Sequence, residues 1–423
     1  MSLHSRDCLC AIGLRRWLGA AAVLAAAAAL SACGSDSPTT PAGPGPAPST
    51  RQIDPRIAAA DNQFGFQVFS SLQKADPSSN IFISPSSIAI ALAMAYNGAG
   101  GATAAGMAQT LGVQGWTLDV LNQANADFIN VLQNPDSKVS LTVADSLWAR
   151  QGFNLSPGFV QRNQQFYNAE VTDLDFTSPA APTTINNWVS QATQGLIPKV
   201  IDQISPDEIL FLINAIYFKG TWTSQFDPKL TQNAPFTLAG GTQEQVPMMN
   251  QFNTYPYLET SKFQAISLPY GTGRLAMFVF LPAANSSLSE FMGSLTATNW
   301  NTWMGQFHSK EGSIALPRFQ CKYNVGLNDT LKALGMSAAF DPNQADFSGI
   351  SPGGRLFLTN VQHQTYLDVD ELGTTAAAIT TIGVGTAVGP VDTFNMTVNR
   401  PFFLAIRDSQ SGAVIFMGAI VKP

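Results

Sequence analysis

The chain has 423 residues, of which 45% are hydrophobic and 12% charged, with 27 phenylalanines and a formal net charge of −6. Such a composition builds a folded body with a sizeable core and excludes disorder, in one large mixed domain or roughly two to three smaller ones. The acidic balance, without any basic run, makes nucleic acid and anionic polysaccharide poor partners.

Arg6, Arg15 and Arg16 precede the apolar run LGAAAVLAAAAAL, too short for a comfortable membrane span, and LSAC follows at residues 30–33. Leu30, Ser31 and Ala32 before Cys33 resemble a bacterial lipoprotein signal, which implies cleavage ahead of Cys33 and lipid attachment to it. An ordinary signal peptide with a chance cysteine, or a cytoplasmic Ala-rich helix, are the alternatives at this point. Residues 34–50, GSDSPTTPAGPGPAPST, cannot bury a core and read as a tether. The expected organisation is a signal peptide over 1–32, a lipidated cysteine and tether over 33–51, and one folded domain over 52–423. Gly34, rather than Asp, follows Cys33, which favours the outer membrane, facing the periplasm or the cell exterior.

Beyond the signal only His308 and His363, and only Cys33 and Cys321, remain. A disulfide within the folded body is therefore excluded, and so is a Cys/His zinc cluster. No GxSxG elbow, phosphate-binding GxxxxGK or dinucleotide fingerprint is present. The chain is not expected to be an enzyme or to need a cofactor or metal.

The spacing of Ile57, Phe64, Val68, Phe69 and Leu72 predicts a helix over 54–73, and SIAIALAMAYNG a buried helix over 87–98 ended by glycine. FLINAIYFKGTW at 211–222 reads as a strand, and AISLPYGTGRLAMFVFLP at 265–282 as strands about a Gly-Thr-Gly turn. GSIALPRFQCKY and RLFLTNVQHQTYLDVDE add two more strands, and residues 400–423 a closing hairpin around DSQSG. Helices dominate early and strands late, so the fold class is α+β.

Between two strand-like runs lies GTTAAAITTIGVGTAVGP at 373–390, with no charge and no aromatic ring. A connection this long inside a compact domain is functional, disordered or a misread element. Both sides of the extended chain are small and partly β-branched, which suits a strand buried on both faces. An ordinary buried strand and a low-complexity loop remain the plainer readings. Such a segment outside a sheet is an aggregation liability, and no charge or proline guards it before Pro390.

The flanks identify a resemblance to the serpin family over essentially all of residues 55–423. It is carried in family order by NIFISPSSIAIALAMAYNGAGGATAAGMAQTLG, INNWVSQATQGLIPKVI, FLINAIYFKGTW, VPMMNQ, LPRFQCKYNVGLNDTLKALGMSAAF, ADFSGIS, NRPFF and FMGAIVKP. The resemblance implies three β-sheets with eight or nine helices and an exposed reactive-centre loop at 373–390. It further implies a monomeric, irreversible inhibitor of serine proteases whose loop is cut and then inserted into the large sheet. Glu371, Gly373, Thr374, Thr375, Ala376, Ala377 and Ala378 match the hinge of inhibitory members, with Ile379 bulkier than the usual occupant. Family spacing from Glu371 puts the scissile bond at Ala387–Val388, with Thr386 and Val388 as neighbouring candidates for the primary specificity residue. These small uncharged residues imply elastase-like or subtilisin-like targets with small apolar primary pockets. Ser84, Ser87, Asn214 and His363 match the polar cluster, called the shutter, beneath the parting strands. Trp222 matches the breach, where insertion begins, and Cys321 reads as a buried free thiol. The alternative is a non-inhibitory serpin-fold binding protein at the cell envelope.

Overall fold

In the computed structural model, which describes residues 53–133, 137–205, 208–353, 355–374 and 392–423, the chain begins with α1 (Pro55–Ala75). The Asp54 side chain accepts a hydrogen bond from the Arg56 amide at 3.0 Å and Pro55 occupies the first turn, a standard helix start. All five apolar residues whose spacing predicts this helix are buried. After β1 (Ile81–Ile83) comes α2 (Pro85–Tyr96), in which every residue before Tyr96 is buried. A helix apolar all round belongs inside a protein, and α2 lies between the two sheet networks described below.

The remaining elements follow in order: α3 (Gly101–Leu111), α4 (Leu118–Gln133), β2 (Val139–Arg150), α5 (Pro157–Tyr167), β3 (Glu170–Leu174), α6 (Ala181–Ala192) and β4 (Leu210–Thr221). Then come β5 (Gln232–Thr237), β6 (Gln243–Glu259), β7 (Phe263–Pro269), β8 (Leu275–Pro282), α7 (Leu288–Ser294), α8 (Ala297–Met304), β9 (His308–Pro317), β10 (Phe319–Gly326) and α9 (Asn328–Leu331). The chain closes with β11 (Asn360–Val369), β12 (Gly373–Thr374), β13 (Phe394–Thr397), β14 (Phe402–Asp408) and β15 (Val414–Ile420).

Hydrogen bonding among the described residues links these strands into a six-stranded sheet and a nine-stranded network. The expected three sheets are recovered because the larger network is two sheets sharing β6. Met248–Tyr257 of β6 pairs with β9, and Tyr257–Glu259 pairs with β7. One expectation needs correction: GSIALPRFQCKY is two strands, not one. Pro317 has no amide hydrogen to continue the ladder, and the chain crosses there from β9 in the nine-stranded network to β10 in the six-stranded sheet.

The six-stranded sheet runs β10-β11-β12-β4-β2-β3. Its central strand β4 is buried on both faces. Phe211, Ile213 and Ala215 pack with Ile185 and Val189 of α6 in one cluster, while Leu210, Leu212, Ile216 and Phe218 belong to the main core. That two-sided burial is why FLINAIYF is continuously apolar instead of alternating.

Candidate functional site

The site is the seam between β4 and β11. These strands run parallel and are directly paired from Asn360↔Phe211 to Tyr366↔Tyr217. Towards Thr221 they stand apart, and β12 occupies the gap. Gly373 and Thr374 pair antiparallel with Thr221 and Gly220 of β4, and Thr374 also pairs with Val369 of β11.

The chain enters this gap through a tight reversal. The Asp370 side chain accepts from the Leu372 and Gly373 amides at 2.9 and 3.0 Å, and the Asp370 amide donates to the Gly373 carbonyl at 2.9 Å. Gly373 has φ +151°, and a Cβ there would stand 2.1 Å from the Gly220 carbonyl oxygen. Only glycine fits this close approach. Thr374 is fully buried, with its hydroxyl 2.9 Å from the Tyr270 hydroxyl.

Trp222 braces the reversal. Its indole N–H donates to the Asp370 carbonyl at 2.9 Å, its backbone amide donates to the Leu372 carbonyl at 3.0 Å, and its ring stacks on Tyr270 at 4.3 Å. Glu371 is buried with its carboxylate satisfied: the Thr231 hydroxyl donates to it at 2.7 Å, and Arg318 lies 3.6 Å away. The expected hinge and breach residues Trp222, Glu371, Gly373 and Thr374 therefore meet at one end of the seam. Thr375, Ala376, Ala377, Ala378, Thr386, Ala387, Val388 and Cys33 lie outside the described residues.

The middle of the seam is closed by a polar chain in the core. The Ser84 amide donates to His363 Nε2 at 3.0 Å, so the imidazole carries its proton on Nδ1 and donates to Asn214 Oδ1 at 2.7 Å. Asn214 Nδ2 donates in turn to Ser87 Oγ and, at 2.6 Å, to Asp145 Oδ1. The four residues expected at the shutter are thus brought together, with Ser84 also capping α2 by accepting from the Ser87 amide. Burial holds the His363 pKa down to about 3, so the ring is neutral. Both of its nitrogens are engaged, which leaves none free to act as a general base. Cys321 is buried on β10, and burial pushes its thiol up to about 12, far from a reactive thiolate.

Sequence reasoning missed Asp145 and Tyr270. A signal existed for Asp145, a lone carboxylate inside the apolar strand run TVADSLWA with no basic residue before Arg150. None existed for Tyr270, which reads as part of a turn.

A family model described as serpin (serine protease inhibitor) matches residues 59–423. Human leukocyte elastase inhibitor is 32% identical over 383 residues, covering 87% of this chain and all of that protein. Among solved structures, the thermophilic serpin tengpin in its native state aligns with a TM-score of 0.82 at 31% identity, covering 89% of this chain and 96% of that one. Human thyroxine-binding globulin with its hormone aligns at 0.79 and 26% identity, covering 87% and 98%.

Proposed function

Because the chain belongs to the serpin family, we propose that it is an irreversible suicide inhibitor of serine proteases with small apolar primary pockets. In this reading a protease attacks the bait loop at Ala387–Val388 and forms an acyl-enzyme. The freed hinge side of the loop then enters the β4–β11 seam as a full strand and carries the acylated protease with it. The observation that supports it best is the position of Gly373 and Thr374, already paired between the two strands that must part. The residues that follow, TAAAITTI, carry neither charge nor proline, so each can pass into a buried strand. A strand of about fifteen residues gains on the order of a dozen hydrogen bonds, roughly 6–18 kcal/mol before packing, comparable to the stability of a whole domain. That is enough to distort a bound protease.

The test is incubation with pancreatic elastase or subtilisin. The expected product is a covalent complex that survives boiling in detergent, with a released C-terminal fragment beginning at Val388. Clean cleavage with no complex and no gain in thermal stability would move the protein to the non-inhibitory binding class. We further place the protein at a bacterial envelope through lipid on Cys33. On that reading Cys33→Ser releases it from the membrane fraction, and retention there contradicts the anchor.

A further inference from the structure

We propose that Asp145 is a positioning residue of the gate between β4 and β11: its carboxyl oxygen fixes the Asn214 amide so that the opposite end of that amide bonds His363 across the seam. The inference rests on the reading that these strands part in function. Asp145 and Asn214 are register partners on β2 and β4, and Asp145 is only 5% exposed. A side-chain amide can sit either way round. Here Ser84 fixes the imidazole tautomer, so the amide must turn its oxygen to His363, and Asp145, an acceptor, holds the nitrogen on the other side. The direction of every bond from carboxyl to amide to imidazole is thereby set. Removing Asp145 removes the constraint at one end.

The ionisable neighbours are few. Tyr167 of α5 senses the Asp145 charge, and Asp61 of α1 acts on the same tyrosine. His363 stands at the far end of the Asn214 amide and is neutral. Of the other elements packed on β2, α6 carries no titratable group and α2 only Tyr96. Asp119 and Asp127 of α4 and Glu170 and Asp173 of β3 all keep access to solvent, as does Lys219 of β4, whereas Tyr217 of β4 is buried. Burial raises the Asp145 carboxyl to about 7, against the smaller pull of the Asn214 hydrogen bond. When β11 withdraws, water reaches the Asn214 amide and the carboxyl behind it, so the open gate holds its proton less tightly than the closed one. Opening therefore releases a proton and becomes easier as pH rises from the ordinary carboxylate range towards about 7, above which the carboxyl is ionised in both states and the dependence ends.

The experiment follows spontaneous insertion of the uncut protein on mild heating, read as loss of cleavability by subtilisin and as new species on native gels, across about pH 5 to 9. No inhibitory complex is needed, so failure of the inhibitor reading and failure of this one are distinguishable. In the wild type this dependence opposes that of His363, which takes up a proton on opening, so the rate is expected to stay nearly level from about pH 5 to 6.5 and to be constant above about 7. Asp145→Asn, which keeps an acceptor but cannot ionise, should expose the His363 limb alone, its rate falling by up to about tenfold per pH unit between about pH 5 and 6.5. A purely structural role would shift the rate equally at every pH. A variant profile parallel to that of the wild type overturns the proposal. Should the variant not fold, the Asn214 side-chain amide in the unsubstituted protein, followed by NMR, must shift with an inflexion near neutrality; a static signal overturns it equally.

Discussion

At its Thr221 end the β4–β11 seam stands open around Gly373 and Thr374, whereas at its middle the same strands are bonded to each other and tied by Asn214 and His363. The two ends use different chemistry. The open end is held by a glycine approach, an indole and two hydroxyls, groups whose bonds can re-form one residue further along. The closed middle is held by a directed chain through four elements that has a single satisfied arrangement. On the proposed inhibitory reading, insertion is nucleated at the open end and barred at the middle, which would let a metastable sheet persist until the loop is cut.

The comparison breaks most completely if the open end accepts a charge. Thr374→Arg would bury a guanidinium at a position with no exposure, so the protein should become a plain substrate: cleaved at wild-type rate, with no covalent complex on a denaturing gel. An unimpaired complex would remove the seam from the mechanism. The closed middle should yield to Asn214→Ala, which strands both His363 Nδ1–H and the Asp145 carboxyl. The expected loss is about 3 kcal/mol in denaturant unfolding, with faster spontaneous insertion.

A smaller effect, on the order of 2 kcal/mol, is expected for Gly373→Ala, because its Cβ meets the Gly220 carbonyl and its φ is unfavourable. The hinge should leave the gap and expose Trp222, seen as a red-shifted tryptophan emission. Stability against pH sharpens the other side. His363 titrates near 6.5 when unfolded and about 3 when folded, so its contribution is present above 6.5 and is lost as pH falls towards 3. Replacing His363 by Gln should flatten that acid loss in thermal unfolding.

Much of this was legible in the sequence where local pattern and tertiary environment agree. The periodic face of α1, the all-apolar α2 and the two-sided β4 each carry their burial in their residue order. The charge-free run of small residues from Gly373 was likewise legible, since such a run is unusual outside a sheet, whereas its role as a hinge came from the family resemblance. Three features were not. The break at Pro317 divides one apparent strand between two sheets, a choice made by partners far along the chain. The resting place of Gly373 and Thr374 depends on Gly220 and Thr221, some 150 residues earlier. Asp145 looks like an ordinary strand carboxylate until Asn214 is placed beside it.

The central claim is that residues 375–382 become a strand between β4 and β11 once the loop is cut. Amide hydrogen exchange of this segment, before and after cleavage by subtilisin, tests it most directly. The account predicts that these amides become as slow as those of β4 itself after cleavage; amides that still exchange within seconds in the cleaved protein would contradict it.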